Sequence, residues 1–334
     1  MNQSKLSILM HQAKQIYLEN FPNETCFERA IFFSWGCSIR DCQYCYMSTQ
    51  PKQNKKGKPA VRSIESMLAE VILCKKLGWK LGFFSGGTGM YKTDDFAEML
   101  RKICLAYGEK IWLNAGALSK EDLKKFLPYI KGVVGSIETV NNEVHKKVCP
   151  SKPVEPYLKM FSEAEKLGLK RAVTIIIGLG ETIEDYPELK KIISEYGIEK
   201  IHFYGLNPQK GTMFENSLPP PKEYQAEWIA RTRIDFPKID IQFGIWKNRT
   251  DRISFLLDAG ANSISKFPAL KEFGKKSAVE IEVQAKAAGR KFIGTLTKLP
   301  EINADEADKL DLDDGLKQKV KQKLKEYLIE LPAK

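Results

Sequence analysis

The stretch AIFFSWGCSIRDCQYC (residues 30–45) decides the fold, because an apolar segment leads directly into a loop with three cysteines. AIFFSW is typical of a buried β-strand, since it is short, apolar and rich in aromatic side chains. Cys37, Cys42 and Cys45 follow, with four and then two residues between them. In parallel α/β barrels, the loops that leave the carboxyl ends of the strands carry the chemistry. The stretch therefore predicts a barrel strand followed by a functional loop.

The rest of the chain repeats this alternation of a short apolar strand and a longer amphipathic helix. Alternating βα units form a parallel sheet, and eight of them predict an α/β protein with a (βα)8 barrel of the TIM type. The predicted strands are 30–35, 80–85, 110–116, 133–138, 172–178, 200–206, 239–245 and 261–265. The predicted helices between them lie near 63–77, 93–107, 119–130, 154–168, 182–195, 222–236 and 249–259.

Segments outside this repeat predict an extension at each end of the barrel. Residues 1–24 have the apolar spacing of an N-terminal amphipathic helix, and residues 25–266 contain the barrel. Residues 267–334 predict a C-terminal extension with helices, a strand near 291–297 and a charged helical tail. Within the barrel, the stretch PKQNKKGK (51–58) has the composition of a linker.

Composition and charge narrow the class of protein. None of the apolar runs in the 334 residues approaches the length of a membrane span, and the N-terminus lacks the apolar centre of a signal peptide. We therefore expect a cytoplasmic protein with no membrane partner. The net charge of +11 raises the question of nucleic acid. Lysines alternate with acidic residues, however, as in KEDLKKFL (120–127), so a nucleic-acid partner is not expected.

The three clustered cysteines predict a metal centre. An odd number of cysteines, seven, in a long chain favours metal or redox chemistry over a disulfide framework. A structural zinc site needs four protein ligands. Of the candidates for the fourth, His145 follows a helix-like segment and His202 lies within a predicted strand. We favour a [4Fe–4S] cluster over zinc, because a cluster held by three thiolates leaves one iron open to a small molecule. The other cysteines are interpreted as small buried apolar side chains: Cys26, Cys74, Cys104 and Cys149.

Several motifs resemble those of radical S-adenosylmethionine (SAM) enzymes, over residues 25–265. Tyr44, directly before the last cysteine, matches an aromatic position that packs against adenine in that family. FFSGGTG (83–89) resembles the Gly-rich segment whose backbone binds the methionine amino group. The chain departs from the family pattern at Thr88, where an acidic residue is usual, and in its first cysteine spacing, which is four rather than three. Three later segments resemble the biotin synthase, methylornithine synthase and HydE-like branch: SIETVNNEVHKKVCPSKP (136–153), VTIIIGLGETIEDY (173–186) and GLNPQKGTMFEN (205–216).

This resemblance implies a cofactor set and the residues that bind it. Cys37, Cys42 and Cys45 would hold a [4Fe–4S] cluster whose open iron binds SAM, and an external one-electron donor of the ferredoxin or flavodoxin type would reduce it. Arg171 is a candidate partner for the SAM carboxylate, since arginine can pair with a carboxylate through two hydrogen bonds; the alternative is a surface arginine. The other implied cofactor-binding positions are Tyr44, Ser85, Gly86, Gly87, Glu138, Thr139, Ile177 and Gly178.

The ends of the later strands are expected to bind the substrate. A closed barrel admits molecules only through its loop-lined mouth, so we expect a small organic molecule. The candidate substrate residues are Tyr204, Asn207, Gln242, Trp246 and Arg249.

Within the branch, the sequence also indicates a type of chemistry. The middle strands lack the cysteines that hold the sulfur-donating cluster of biotin synthase, so rearrangement or fragmentation of a carbon skeleton is expected. FSWGC (33–37), CQYCYMSTQ (42–50) and NPQKGTMFEN (207–216) resemble the HmdB/HcgA type, which is associated with biosynthesis of the iron-guanylylpyridinol cofactor of [Fe]-hydrogenase. Three alternatives stay open. They are a radical enzyme of another cofactor or amino-acid pathway, a basic RNA-binding protein with a structural metal, and a noncatalytic scaffold of the same fold.

Overall fold

The computed structural model describes residues 3–49 and 60–331, so the predicted linker at 51–58 lies outside the described residues. The described strands are β1 (Glu24–Cys26), β2 (Glu28–Phe32), β3 (Lys80–Ser85), β4 (Ile111–Asn114), β5 (Ile130–Glu138), β6 (Lys170–Ile177), β7 (Lys200–Gly205), β8 (Asp240–Gly244), β9 (Ser263–Ser265) and β10 (Lys291–Ile293). Strands β2 to β9 form one parallel sheet in the order of the sequence, and β1 pairs with β10.

The eight-stranded sheet curls into a nearly closed barrel. A parallel bridge joins Phe27, directly before β2, to Ile264 in β9. Across the same seam, the Ser263 hydroxyl donates to Glu28 Oε1 at 2.8 Å. The prediction of an α/β barrel with eight strands is confirmed, and the short segment at 261–265 does lie in the sheet.

The first barrel strand ends earlier than predicted, at Phe32 rather than at Trp35. The Phe33 amide still donates to Ser85 in β3 at 2.7 Å, but the Trp35 amide donates to the Ala60 carbonyl at 2.9 Å. The backbone thus leaves the sheet at this point to pair with the segment after residue 59. This turn directs the cysteine loop across the mouth of the barrel.

Helices surround the barrel and extend the chain at both ends. They are α1 (Gln3–Asn20), α2 (Tyr46–Thr49), α3 (Ile64–Lys76), α4 (Thr93–Tyr107), α5 (Lys120–Phe126), α6 (Asn142–Val148), α7 (Glu155–Lys166), α8 (Tyr186–Glu195), α9 (Lys222–Asp235), α10 (Ile253–Asp258), α11 (Ala269–Glu272), α12 (Lys276–Ala287) and α13 (Asp314–Glu330). Each predicted helix is present, and α2 and α6 are additional. Four residues are too few to show a helical period, which explains why α2 was not predicted.

The strands are buried on both faces, as expected for a parallel sheet covered by helices. In β7, Ile201 and Phe203 pack in the main core between barrel and helices, whereas His202 and Tyr204 point into the barrel. The lower part of the barrel interior is filled by a second apolar cluster: Ala30, Phe83, Trp112, Val134, Ala172 and Tyr204. This part of the barrel is therefore a packed core rather than a pore.

A buried ion network closes the amino ends of the strands. Lys200 Nζ lies 2.8 Å from both carboxylate oxygens of Glu28 and 2.7 Å from Asp240 Oδ2. Glu28 also accepts from the Gln242 amide at 2.6 Å and from the Ser263 hydroxyl at 2.8 Å. Every charge in this network has a partner, as burial requires. The network joins β2, β7, β8 and β9 at the closed end of the barrel.

The extensions pack on the outside of the barrel. Helix α1 lies against α9, and the Tyr17 hydroxyl donates to the Pro22 and Glu24 carbonyls, both at 2.9 Å. Helix α13 lies against α3, where the hydroxyls of Tyr327 and Ser66 are 2.7 Å apart. The division at residues 24 and 266 stays a prediction. Among the described helices, none has both the length and the apolar character needed to cross a bilayer.

Candidate active site

A large cavity opens at the carboxyl ends of the barrel strands, where the sequence predicted the chemistry. Its volume is about 910 Å³. All three cysteines of the loop, Cys37, Cys42 and Cys45, lie on its wall. Many of the other predicted site residues also line it: Tyr44, Ser85, Gly86, Gly87, Glu138, Tyr204, Asn207 and Trp246.

Backbone hydrogen bonds from neighbouring segments hold the cysteine loop. The Ser38 amide donates to the Thr88 carbonyl at 2.9 Å, and the Gln43 amide donates to the Val148 carbonyl at 2.8 Å. The Gln43 carbonyl accepts in turn from the Met213 amide at 3.1 Å. The departure from the family pattern at Thr88 thus falls at a residue whose backbone, rather than its side chain, anchors the loop.

The donor set of the loop suits an iron–sulfur cluster better than a single metal ion. Among the described residues, no three Cys, His, Asp or Glu side chains converge on one ion position. The three thiolates of a [4Fe–4S] cluster bind three different irons, so their sulfurs need not meet at one point. Burial raises the pKa of the Cys45 thiol to about 11. Binding of a cluster must therefore release a proton from this thiol.

Cys149 was interpreted as a structural residue, but the structure places its thiol against Cys42. A hydrogen bond from Cys149 holds the pKa of Cys42 below its ordinary value, even though burial acts in the opposite direction. The Cys149 sulfur also lies 3.8 Å from the Tyr44 hydroxyl. It occupies the loop after α6, inside the quoted 136–153 motif, and spacing alone gave no reason to pair it with the cysteine loop.

Lys152 is a second residue that the sequence reasoning missed. Its ammonium lies 2.6 Å from Glu138 Oε1 and 3.2 Å from the Tyr44 hydroxyl. Burial alone would lower the pKa of Lys152, but the Glu138 carboxylate raises it well above its usual range. Burial also raises the pKa of the Tyr44 phenol. The result is a buried, hydrogen-bonded chain that links β5 to the cysteine loop, and a lysine in the quoted 136–153 segment was its only signal.

The glycines of the 83–89 segment let the backbone approach the cysteine loop closely. A Cβ at Gly87 would lie 2.6 Å from the Cα of Cys37 and would collide with the Gly36 carbonyl. A Cβ at Gly86 would meet the Phe33 ring. The Gly87 amide donates to the Ser34 hydroxyl at 2.8 Å. Glycine is required here for close contact between this segment and the cysteine loop.

Four predicted cofactor positions do not have side chains on the cavity wall. Arg171 lies near the amino end of β6, where its guanidinium donates to the Gly197 carbonyl at 3.0 Å. This end of the strand is opposite to the cavity, so the prediction that Arg171 contacts the SAM carboxylate is wrong. The Ile177 side chain packs in the core outside the barrel, and its neighbour Ile176 lines the cavity instead. Gly178 donates its amide to Glu181 at 2.7 Å, and Thr139 is buried behind the wall.

Two of the five predicted substrate residues lie behind the cavity wall. Gln242 is buried in the barrel interior, where it donates to Glu28 and accepts from the Tyr204 hydroxyl at 2.9 Å. Arg249 donates to the Leu206 carbonyl at 3.1 Å and to the Asn207 side chain at 2.6 Å. Both residues therefore position others that face the cavity.

The cavity also has polar groups that the sequence reasoning did not select. The side chains of Asn114 and Ser136 are 3.2 Å apart on adjacent strands, and Thr174 follows on the next one. Lys266, directly after β9, lines the cavity as well. Single polar residues at strand ends gave no distinct pattern in the sequence.

Comparison with known proteins agrees with this geometry. Residues 31–193 match the sequence profile of a protein family described as the radical SAM superfamily. An uncharacterized protein from Methanocaldococcus jannaschii is 40% identical over 293 residues, which cover 86% of this chain and 80% of that protein. The 7,8-didemethyl-8-hydroxy-5-deazariboflavin synthase of Archaeoglobus fulgidus is 34% identical over 176 residues, covering 51% of this chain and 54% of the synthase. Biotin synthases are also among the relatives.

A solved structure has the same fold. The crystal structure of methylornithine synthase (PylB) superposes with a TM-score of 0.73, over 87% of this chain and 90% of that chain. The identity is 18%, so the likeness concerns the fold alone.

Proposed function

This chain belongs to the radical SAM superfamily, and from that premise we propose that it cleaves SAM reductively and uses the resulting 5′-deoxyadenosyl radical on a small organic substrate. The observation that carries the proposal is the placement of three cysteines of one loop on the wall of a barrel cavity of about 910 Å³. A bound [4Fe–4S] cluster supplies the electron that breaks the C5′–S bond of SAM, which is chemistry that side chains cannot perform. The chain contributes position and the exclusion of water.

We assign the cluster to Cys37, Cys42 and Cys45. Tyr44 lies between two of these ligands and faces the cavity, where its ring can pack against the adenine of SAM. The hydrogen bond between Lys152 and Tyr44, at 3.2 Å, fixes this ring relative to β5. The backbone of Ser85, Gly86 and Gly87 is the proposed contact for the methionine end of SAM.

The closed end of the barrel limits the substrate to a small molecule. Tyr204, Asn207 and Trp246 line the cavity on the side of the later strands, away from the proposed SAM contacts on β3 and β5. The network around Lys200 and Glu28 blocks passage through the amino ends of the strands. A substrate held between these walls is shielded from water, which protects a radical from side reactions.

The proposed reaction needs an external one-electron donor of the ferredoxin or flavodoxin type, and we place it in the cytoplasm, where such donors occur. With a cluster held by Cys37, Cys42 and Cys45 and reduced by this donor, one electron would cleave SAM to methionine and the 5′-deoxyadenosyl radical. Transfer of a hydrogen atom from the substrate would then give 5′-deoxyadenosine and a substrate radical that rearranges or fragments.

For the pathway, we propose biosynthesis of the iron-guanylylpyridinol cofactor of [Fe]-hydrogenase, by a protein of the HmdB/HcgA type. The support is the sequence of the cysteine loop and of the segment at 207–216. The second candidate is a radical enzyme of another cofactor or amino-acid pathway. The relation to a deazariboflavin synthase and to biotin synthases, whose names both concern cofactors, favours that broader class.

The test is anaerobic reconstitution with iron and sulfide, followed by dithionite and SAM, with 5′-deoxyadenosine quantified. We expect the wild-type chain to form 5′-deoxyadenosine and Cys42→Ala to lose both the cluster absorbance and this product. Cys104→Ala, on the outer helix α4, is the matched control and should retain both. If the cluster-replete protein forms no 5′-deoxyadenosine, even with cell extract as a source of substrate, the scaffold alternative replaces the enzyme. A protein that binds zinc in place of iron and sulfide, and RNA in a salt-dependent way, would support the RNA-binding alternative.

A further inference from the structure

Lys266 projects into the cavity from the end of β9 and is surrounded by aromatic rings. Its ammonium lies 4.6 Å from the ring centre of Tyr204, 5.3 Å from that of Phe32 and 5.7 Å from that of Phe83. Gly244 makes room for this arrangement, because a Cβ there would lie 2.5 Å from the Tyr204 ring and 3.0 Å from Lys266 Cγ. The ammonium is thus held in place by rings rather than by an ion pair.

Within the described part of the chain, no carboxylate forms a salt bridge or hydrogen bond with Lys266. Three other cations of the cavity wall are paired with buried carboxylates: Lys152 with Glu138, and both Arg29 and Arg62 with Glu70. Lys323 pairs with Glu326, and Lys271 lies on the exposed rim. Burial lowers the pKa of Lys266, and the charges of Glu138 and Cys45 only partly offset this effect. Taking a cation out of water without an anionic partner is costly, and rings compensate for only part of the loss. A negatively charged ligand would supply the missing partner.

The backbone of Lys266 is also strained. Its φ angle is +66°, in the left-handed region that residues other than glycine rarely adopt. Only three such residues occur in the described parts of the chain; one of them, Arg40, lies within the cysteine loop, and the other two, Glu138 and Lys266, line this cavity. Strain of this kind concentrates at ligand sites, because the surrounding structure maintains it to direct a side chain.

We propose that Lys266 binds a carboxylate group of the substrate, with the aromatic rings beneath it and the polar wall of Asn114 and Ser136 facing the rest of the molecule. One uncompensated ammonium matches one negative charge. The inference rests on the proposed function, since it names the class of molecule on which that site acts, a small carboxylic acid. It makes Lys266 a specificity-determining residue at the end of β9.

The test measures binding directly and does not depend on turnover. Anaerobically reconstituted protein is titrated into 4-fluorobenzoate and into 4-fluorobenzamide, which has the same shape and no charge, and binding is followed by ¹⁹F NMR. Each titration is repeated with saturating SAM, so that the site of SAM's own carboxylate is filled. The variants are Lys266→Met and Lys266→Gln, with Lys276→Met as a control that removes the same charge from an exposed position on α12. Circular dichroism and iron content confirm that each variant is folded and loaded.

We expect the wild type and Lys276→Met to bind the carboxylate about tenfold or more tightly than the amide, and both Lys266 variants to lose this preference. Equal binding of the two probes, no binding of either by the wild type, or a preference that survives in both Lys266 variants would overturn the inference. So would a preference that disappears when SAM is added, because Lys266 would then serve SAM itself. If 5′-deoxyadenosine is never formed but the Lys266-dependent preference is present, the proposed function fails while the carboxylate site stands.

Discussion

Gly87→Ala tests whether the cysteine loop depends on close contact with the Gly-rich segment after β3. A new Cβ would lie 2.7 Å from Cys37 Cβ, whereas ordinary contacts begin at 3.4 Å, so Cys37 has to move by about 0.7 Å. The new Cβ would also lie 2.6 Å from Cys37 Cα, and its closest contact is the Gly36 carbonyl oxygen, a backbone atom that cannot rotate away, so a shift of about 0.7 Å is the minimum. Gly87 is not among the glycines with positive φ, so the substitution adds no backbone strain there. The effect is therefore a displacement of the first cluster ligand.

A misplacement of about 1 Å at a reacting centre can cost about a hundredfold in rate. For Gly87→Ala we expect a folded protein whose iron content falls and whose rate of 5′-deoxyadenosine formation drops by about 10- to 100-fold. The control is Gly315→Ala, an exposed position in α13 where the new Cβ has its nearest contact at 3.4 Å. Iron and sulfide analysis, circular dichroism and the SAM cleavage assay are run on both variants. Wild-type iron content together with wild-type cleavage in Gly87→Ala would refute the argument.

Three further predictions concern buried charges and thiols. Lys200→Met leaves Glu28 buried without its cation and should lower the free energy of unfolding by about 3–5 kcal/mol, measured by urea denaturation. Lys190→Met, which breaks an exposed pair, should cost no more than about 1 kcal/mol, and equal losses would contradict the reasoning. Although burial raises the pKa of Glu28, Lys200 brings it below its ordinary value, so the contribution of Glu28 to wild-type stability should be lost as the pH falls below about 4.3. In Lys200→Met burial dominates, so protonation of Glu28 at low pH should instead recover part of the lost stability. In the cluster-free protein, Cys149→Ala removes the hydrogen bond that lowers the pKa of Cys42. Alkylation of Cys42 by iodoacetamide, followed by mass spectrometry, should therefore become slower at neutral pH. An unchanged or faster rate would show that Cys149 does not control the pKa of this thiol.

The sequence predicted the barrel well because each strand is a short apolar run and each connection contains a helical period. KLGFFS and the helix at 93–107 match the structure to the residue. The pairing of β1 with β10 was not predictable, since three-residue strands far apart in the chain have no period of their own. The cysteine loop was found because its three ligands are close in sequence.

Whether any other residue belongs to the site depends on which end and which face of its strand it occupies. Arg171 was assigned to the cofactor although it stands near the start of β6, and the start of a strand lies at the closed end of the barrel. Ile177 illustrates the second difficulty, because neighbouring residues of a strand point to opposite sides and only Ile176 faces the cavity. Lys152 and Lys266 were not selected because lysine is abundant in this chain, and only the fold distinguishes an ammonium on the cavity wall from one on the outer surface.

The network around Glu28 has a consequence for the order in which the chain can fold during synthesis. Glu28 belongs to the first barrel strand, yet Lys200 follows 172 residues later and Ser263 follows 235 residues later. At about 5–20 residues per second, the ribosome needs roughly 12 to 47 seconds to deliver the last of these partners. Until then the Glu28 carboxylate has to remain in water, because the free energy needed to bury an unpaired carboxylate exceeds the stabilisation that an incomplete sheet provides. The strand that leads to the cysteine loop is thus among the first to be made, and its place in the barrel becomes final only when the eighth strand has emerged.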